Sequence, residues 1–139
     1  MNATIRWLDG AMFVGESGSG HSVVMDGPED AGGRNVGIRP MEMLLIGVGA
    51  CSAFDVVSIL KKGRQQITDC EAKISAVRAD AIPAVFETIH MHFIVKGKDL
   101  DIAKVERAIE LSAEKYCSAS IMLEKAGVVL THDFEIVAN

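Results

Sequence analysis

The sequence predicts an α+β fold, on three observations. Short segments alternate apolar and polar residues with the period of strands, an unbroken apolar run has the length of a long helix, and turn-forming residues separate these segments. With 139 residues the chain suits a single domain over 1–139, because a chain of about 150 residues buries roughly 70% of its unfolded surface.

Residues 3–8, 11–16 and 20–25 read as three strands of an antiparallel meander, divided by turn residues at Asp9-Gly10 and from Ser17 to Gly20. Residues 26–39, rich in glycine and without periodicity, make a loop of a length usually reserved for a flap or a disordered segment. Pro40 then opens a helix, since its missing N–H is one the first turn leaves unpaired, and Glu42 favours the positive end of the dipole. The helix runs to about Lys62 and stops at Gly63. Its first three turns are apolar all round, so it should be enclosed on every side, which calls for a partner subunit. Gly47 and Gly49 each cost about 1 kcal/mol against alanine in a helix interior, and the close packing of another helix is the simplest compensation. The uncharged stretch from Met43 to Phe54 is twelve residues, short of the about 20 that span a bilayer. A buried core helix is expected, with no membrane contact.

Residues 69–80 alternate, placing Cys70, Ala72, Ile74 and Ala76 on one face, and residues 86–96 form a second strand with Ile89, Met91, Phe93 and Val95 inward. Pro83 falls in the connection, which makes the two a hairpin. Ile102, Val105, Ala108, Ile109 and Ser112 mark a helix over 101–115. After a break near Cys117 a short helix follows, Gly127 caps it, and residues 128–137 form a strand. The architecture expected is a buried central helix against antiparallel strands.

The composition is 49% hydrophobic and 24% charged with a formal charge of −5, which suits a soluble protein and offers no basic stripe to nucleic acid. The first ten residues lack the pattern of a secretory signal, so a cytoplasmic location is expected. In that reducing compartment a disulfide among the three cysteines would be transient chemistry rather than a staple.

Cys70 lies on the apolar face of its strand and reads as core. His90 and His92 share the opposite strand face with a spacing that can serve metals, but no carboxylate or cysteine stands beside them in sequence; they read as solvated surface, and no metal is expected. His21 and His132 are isolated. The glycines around Cys51 fall inside a helix already begun, so they are not a dinucleotide fingerprint and imply no cofactor. Cys117 sits where a helix begins, with Ser118 and Ser120 able to cap it; the dipole and free N–H groups there should lower its pKa. Cys51, in mid-helix, receives no such help. Its small neighbours fit either a hydrophobe in a tight gap or a thiol placed where backbones approach closely.

The whole layout resembles the OsmC/Ohr family of thiol-dependent peroxidases and OsmC-like proteins. "RPMEMLLIGVGACSA", residues 39–53, is similar to that family's "NPEELxxAAxAAC" segment, and "EKYCSAS", residues 114–120, is similar to its second cysteine segment of the "CPVS" type. Within the family the chain looks most like the small OsmC-like members. Met41 stands where the family places an acid directly after the proline, and Glu42 follows one place later, about 100° further round the helix. The resemblance implies an OsmC-like fold in an intertwined homodimer with sites at the subunit interface. It implies that Cys51 attacks an organic hydroperoxide, that Cys117 resolves it, and that an external dithiol restores both with no bound cofactor. It also implies a loop arginine stabilising the thiolate, for which Arg39 and then Arg34 are the candidates. A competing expectation is a lipophilic small molecule held without turnover in an apolar interface pocket lined by Met41, Met43 and Phe54.

Overall fold

The structure is a computed structural model describing residues 1–138. It divides into two compact units, Met1–Ile46 and Gly47–Asn139.

In the first unit β1 (Ala3–Asp9), β2 (Met12–Ser17) and β3 (Ser22–Met25) form an antiparallel sheet in that order. The register pairs Ile5 with Gly15 and Trp7 with Phe13, and β3 sets Val23 against Gly15 and Met25 against Phe13. Ile5, Trp7, Phe13, Val23 and Met25 therefore share one face. Gly10 turns the first hairpin at φ 52°, a conformation glycine adopts without steric cost.

The glycine-rich loop is ordered by Asp26, which is 2% exposed. Its carboxylate accepts from the backbone N–H groups of Gly27 (2.8 Å), Arg34 (2.9 Å) and Val36 (3.3 Å). A 3-10 turn over Glu29–Ala31 and a bridge from Met25 to Ile38 complete it. The hydrogen bond from Arg34 leads the contributions that hold the Asp26 carboxyl below its ordinary value. A carboxyl depressed on folding gives stability that is complete above the unfolded value of about 3.9 and disappears as pH falls through the lower folded one. Asp26→Ala should accordingly speed hydrogen exchange at the Arg34 and Val36 amides near neutral pH. Unchanged exchange there would remove Asp26 as the anchor.

Helix α1 (Pro40–Lys62) begins in the first unit and continues in the second. Glu42 reaches back to accept from the Arg39 N–H at 2.9 Å, the returning half of a capping box. This fixes what Glu42 does at the third helical position. At the other end Gly63 donates to Ile59.

In the second unit β4 (Gln66–Arg78) and β5 (Phe86–Lys98) form the expected hairpin. Ile89, Phe93 and Val95 are fully buried and Met91 is 1% exposed. α2 (Ile102–Leu111) is capped by Asp101, whose carboxylate accepts from Ala103 and Lys104. A π-helical turn, Ser112–Tyr116, leads to α3 (Ser118–Lys125) and β6 (Val129–Ala138).

The α+β class stands, with two corrections of detail. β6 pairs parallel to β5, Phe93 opposite Phe134, so this sheet is mixed, in the order β4-β5-β6; the α2–α3 crossover carries the chain back so that β6 can run with β5. Gly49 faces a strand rather than a helix, since a Cβ there would collide with Ile74 Cδ1 of β4, while one at Gly47 would meet nothing within 4 Å. Within the single chain Val48, Val56 and Leu60 of α1 are buried, while Ile46 and Phe54 are 53% and 72% exposed. By length and composition alone α1 is apolar enough to cross a membrane, a test that core helices also pass.

Candidate active site

Both candidate cysteines lie in the second unit. Cys51 is half-buried on α1 and Cys117 is fully buried. The π-helical turn presents Cys117: its N–H donates to the Ser112 carbonyl at 2.8 Å, five residues back, and the added residue re-aims the chain where α2 would otherwise continue. Cys117 leaves helical geometry at φ −73°, ψ 98° and becomes the N-cap of α3. Its Sγ accepts from the Ser120 N–H at 3.4 Å and the Ser120 hydroxyl at 3.1 Å, a task usually given to an oxygen. The Cys51 side chain stands within hydrogen-bonding reach of it. Both thiols are free.

The expected lowering of the Cys117 pKa is overturned. Burial pushes this thiol up, the Ser120 hydroxyl and N–H act in the opposite sense, and the neighbouring Cys51 adds to the rise. Desolvation of the charged form outweighs the helix terminus.

Sequence reasoning missed the polar cluster beside the pair. Ser112 Oγ lies 3.0 Å from Ser52 Oγ, and donates within 3.3 Å to the Ser52 carbonyl and to Asp55 Oδ2. Ser52 and Ser112 are 2% and 0% exposed. Their signal was available: Ser112 occupies a place in the apolar stripe of its helix, and a polar group at such a place needs a partner.

Arg34 and Arg39 belong to the first unit. Arg34 pairs with Asp9 at 3.1 Å, and Arg39 Nη1 donates to the Gly37 carbonyl at 3.1 Å. Cys70 lies opposite Val95 and is half-buried; burial, and Asp69 beside it, push its thiol up.

The two histidines of β5 gain from β6 the carboxylates that their own sequence neighbourhood lacks. His92 Nδ1 is 2.6 Å from Asp133 Oδ1, His90 Nε2 is 3.3 Å from the same oxygen, and His90 Nδ1 is 2.8 Å from Thr131 Oγ1. The hydrogen bond to Asp133 raises the His92 pKa and lowers that of Asp133. No group of three or more His, Cys, Asp or Glu among the described residues could hold a metal ion.

An α+β fold with one thiol on its long helix and a second capping a short one defines a protein of a known kind. A family model described as OsmC-like protein matches residues 31–133, and the chain belongs to that family. It is 52% identical over 141 aligned positions to protein YhfA of Escherichia coli strain K12, covering 99% of each chain. A hypothetical protein of Aquifex aeolicus VF5 is 30% identical, with a TM-score of 0.86 over 99% of this chain and 96% of that one. The organic hydroperoxide resistance protein OhrB of Bacillus subtilis shares the fold at 21% identity, with a TM-score of 0.63 and 96% of both chains covered.

Proposed function

We propose that this chain is a thiol-dependent peroxidase for organic hydroperoxides. The Cys51 thiolate attacks the peroxide, so that ROOH and a proton become ROH and Cys51 becomes a sulfenic acid. Cys117 condenses with it, forming the disulfide and releasing water. An external dithiol then exchanges with that disulfide, returning two thiols and leaving as its own oxidised form. The observation that carries this reading is the reach of Cys51 to Cys117, with the more accessible thiol in the attacking role. For the cation that the family sets against the attacking thiolate, Arg39 is the better candidate: Arg34 is neutralised by Asp9, whereas Arg39 donates to a neutral carbonyl. A cytoplasmic setting, where a dithiol is at hand, suits this chemistry. The partner we assign is a second copy of the chain, which would cover the exposed apolar side of α1.

The test adds one equivalent of organic hydroperoxide to the reduced protein. Two of the three thiols should be lost and one peptide pair, Cys51 with Cys117, joined, leaving Cys70 free. A competing reading, retention of a lipophilic molecule without turnover, draws on the groove of about 410 Å³ that Met43 lines with Ile5, Val23 and Met25 in the first unit. On that reading no thiol is consumed.

A further inference from the structure

We propose that Ser120 holds the sulfur of Cys117 as the leaving thiolate of the oxidised pair, so that the external dithiol attacks Sγ of Cys51. This rests on the two-thiol reading above and adds the direction in which the disulfide opens. In thiol–disulfide exchange the incoming thiolate bonds to one sulfur while the other departs with the electron pair, and exchange is faster when the departing thiolate is better stabilised and the attacked sulfur is accessible. The two sulfurs differ in both respects. Cys117 has no exposed surface, whereas Cys51 is half-buried. Among the described residues the donors placed on a sulfur of this pair are both on Cys117, the Ser120 hydroxyl at 3.1 Å and the Ser120 N–H at 3.4 Å. Both belong to the first turn of α3, whose N-cap is Cys117 itself.

The step balances. RS⁻ forms a bond to Cys51 Sγ, the Cys51–Cys117 bond breaks, and Cys117 departs as a thiolate accepting both Ser120 hydrogens. The second thiol of the dithiol then displaces Cys51 and closes the oxidised reductant. From α1 the titratable group facing Cys117 is Cys51, while Asp55 is engaged by the Ser112 hydroxyl. Glu114 and Lys115 of the π-helical turn are exposed. Ser120 also lines a small cavity, about 130 Å³, with Glu114, Glu124 and His132. The hydroxyl of Ser120 opposes the effect of burial on Cys117, and its loss leaves a poorer leaving group.

The experiment begins from disulfide made with a diazenedicarboxamide oxidant, so no hydroperoxide is involved. The oxidised protein is mixed with a chromogenic aromatic monothiol, and the mixed disulfide is located by peptide mass. The label is expected on Cys51. Ser120→Ala should slow exchange about tenfold, the scale of one hydrogen bond to a charged group, at every pH, since the profile follows ionisation of the attacking monothiol. Ser120→Thr, which keeps the hydroxyl, should restore the rate, and Ser118→Ala at the exposed neighbour should leave it unchanged. Label on Cys117, or an unaltered rate in a folded Ser120→Ala protein, overturns the proposal. Should that variant fail to fold, the position of the label in the wild-type chain decides. A chain that opens at Cys51 yet ignores hydroperoxide would keep this inference and remove the peroxidase reading.

Discussion

Cys51→Ser, supplied with dithiol, consumes organic hydroperoxide no faster than buffer, whereas Cys117→Ser without added thiol consumes one equivalent and stops. The asymmetry follows from the chemistry: only the attacking sulfur touches the peroxide, and the other is needed solely to clear the product. The Cys117→Ser protein should hold Cys51 as a sulfenic acid, trappable by a carbon nucleophile or by an added thiol. Excess hydroperoxide should drive it on to sulfinic acid, because the buried thiol that would intercept it is gone. Cys70→Ser should leave turnover intact. Stopped-flow consumption of hydroperoxide with mass analysis of the trapped adduct checks the set. Equal turnover in the Cys51→Ser and wild-type proteins would end the two-cysteine account.

Phe93→Ala is the substitution with the largest expected effect on stability. Phe93 is fully buried in the middle strand of the mixed sheet, opposite Ala72 of β4 and Phe134 of β6. Removing such a ring loses its transfer free energy and leaves a cavity, together about 3–5 kcal/mol, against a total of about 5–15 kcal/mol for a typical domain. The melting temperature should fall by roughly 10 °C. Val77→Ala, on the same sheet but 56% exposed, should cost under about 1 kcal/mol. Comparable losses from both would mean that the core does not lie where burial places it.

The strand meander, the start and stop of α1 and the inward face of β5 were legible in the sequence because each is a local signal. Pro40 and Gly63 act on their own turns, and the alternation through Ile89, Met91, Phe93 and Val95 needs no knowledge of what lies opposite. Non-local features were hidden. The carboxylate partner of His92 depends on the register between β5 and β6, and Asp26 reaches N–H groups as far as Val36 along an aperiodic loop. The π-helical turn escaped for another reason: the stripe Val105, Ala108, Ile109, Ser112 keeps ordinary helical spacing up to the residue where the extra one enters. For the candidate site, the residues alone gave each thiol its setting, and the pairing of Cys51 with Cys117 came from the family resemblance. The dipole argument at Cys117 was sound as a local statement and lost to burial, which no local pattern reveals.

The parallel partnership of β5 and β6 has a consequence for the order of folding. Partners such as His90 and Thr131 are 41 residues apart in the chain, while the β4–β5 hairpin closes over a short connection. Loop-closure entropy grows with the length enclosed, and long-range parallel pairing is accordingly slow. A hairpin closed before β6 arrives would leave one row of β5 backbone N–H and C=O groups unpaired, on the strand that carries the largest share of the buried apolar side chains. Such a row is a template for any strand that arrives first, including one from another chain. Until the α2–α3 crossover has formed, the route to the native sheet and the route to aggregation share the same edge.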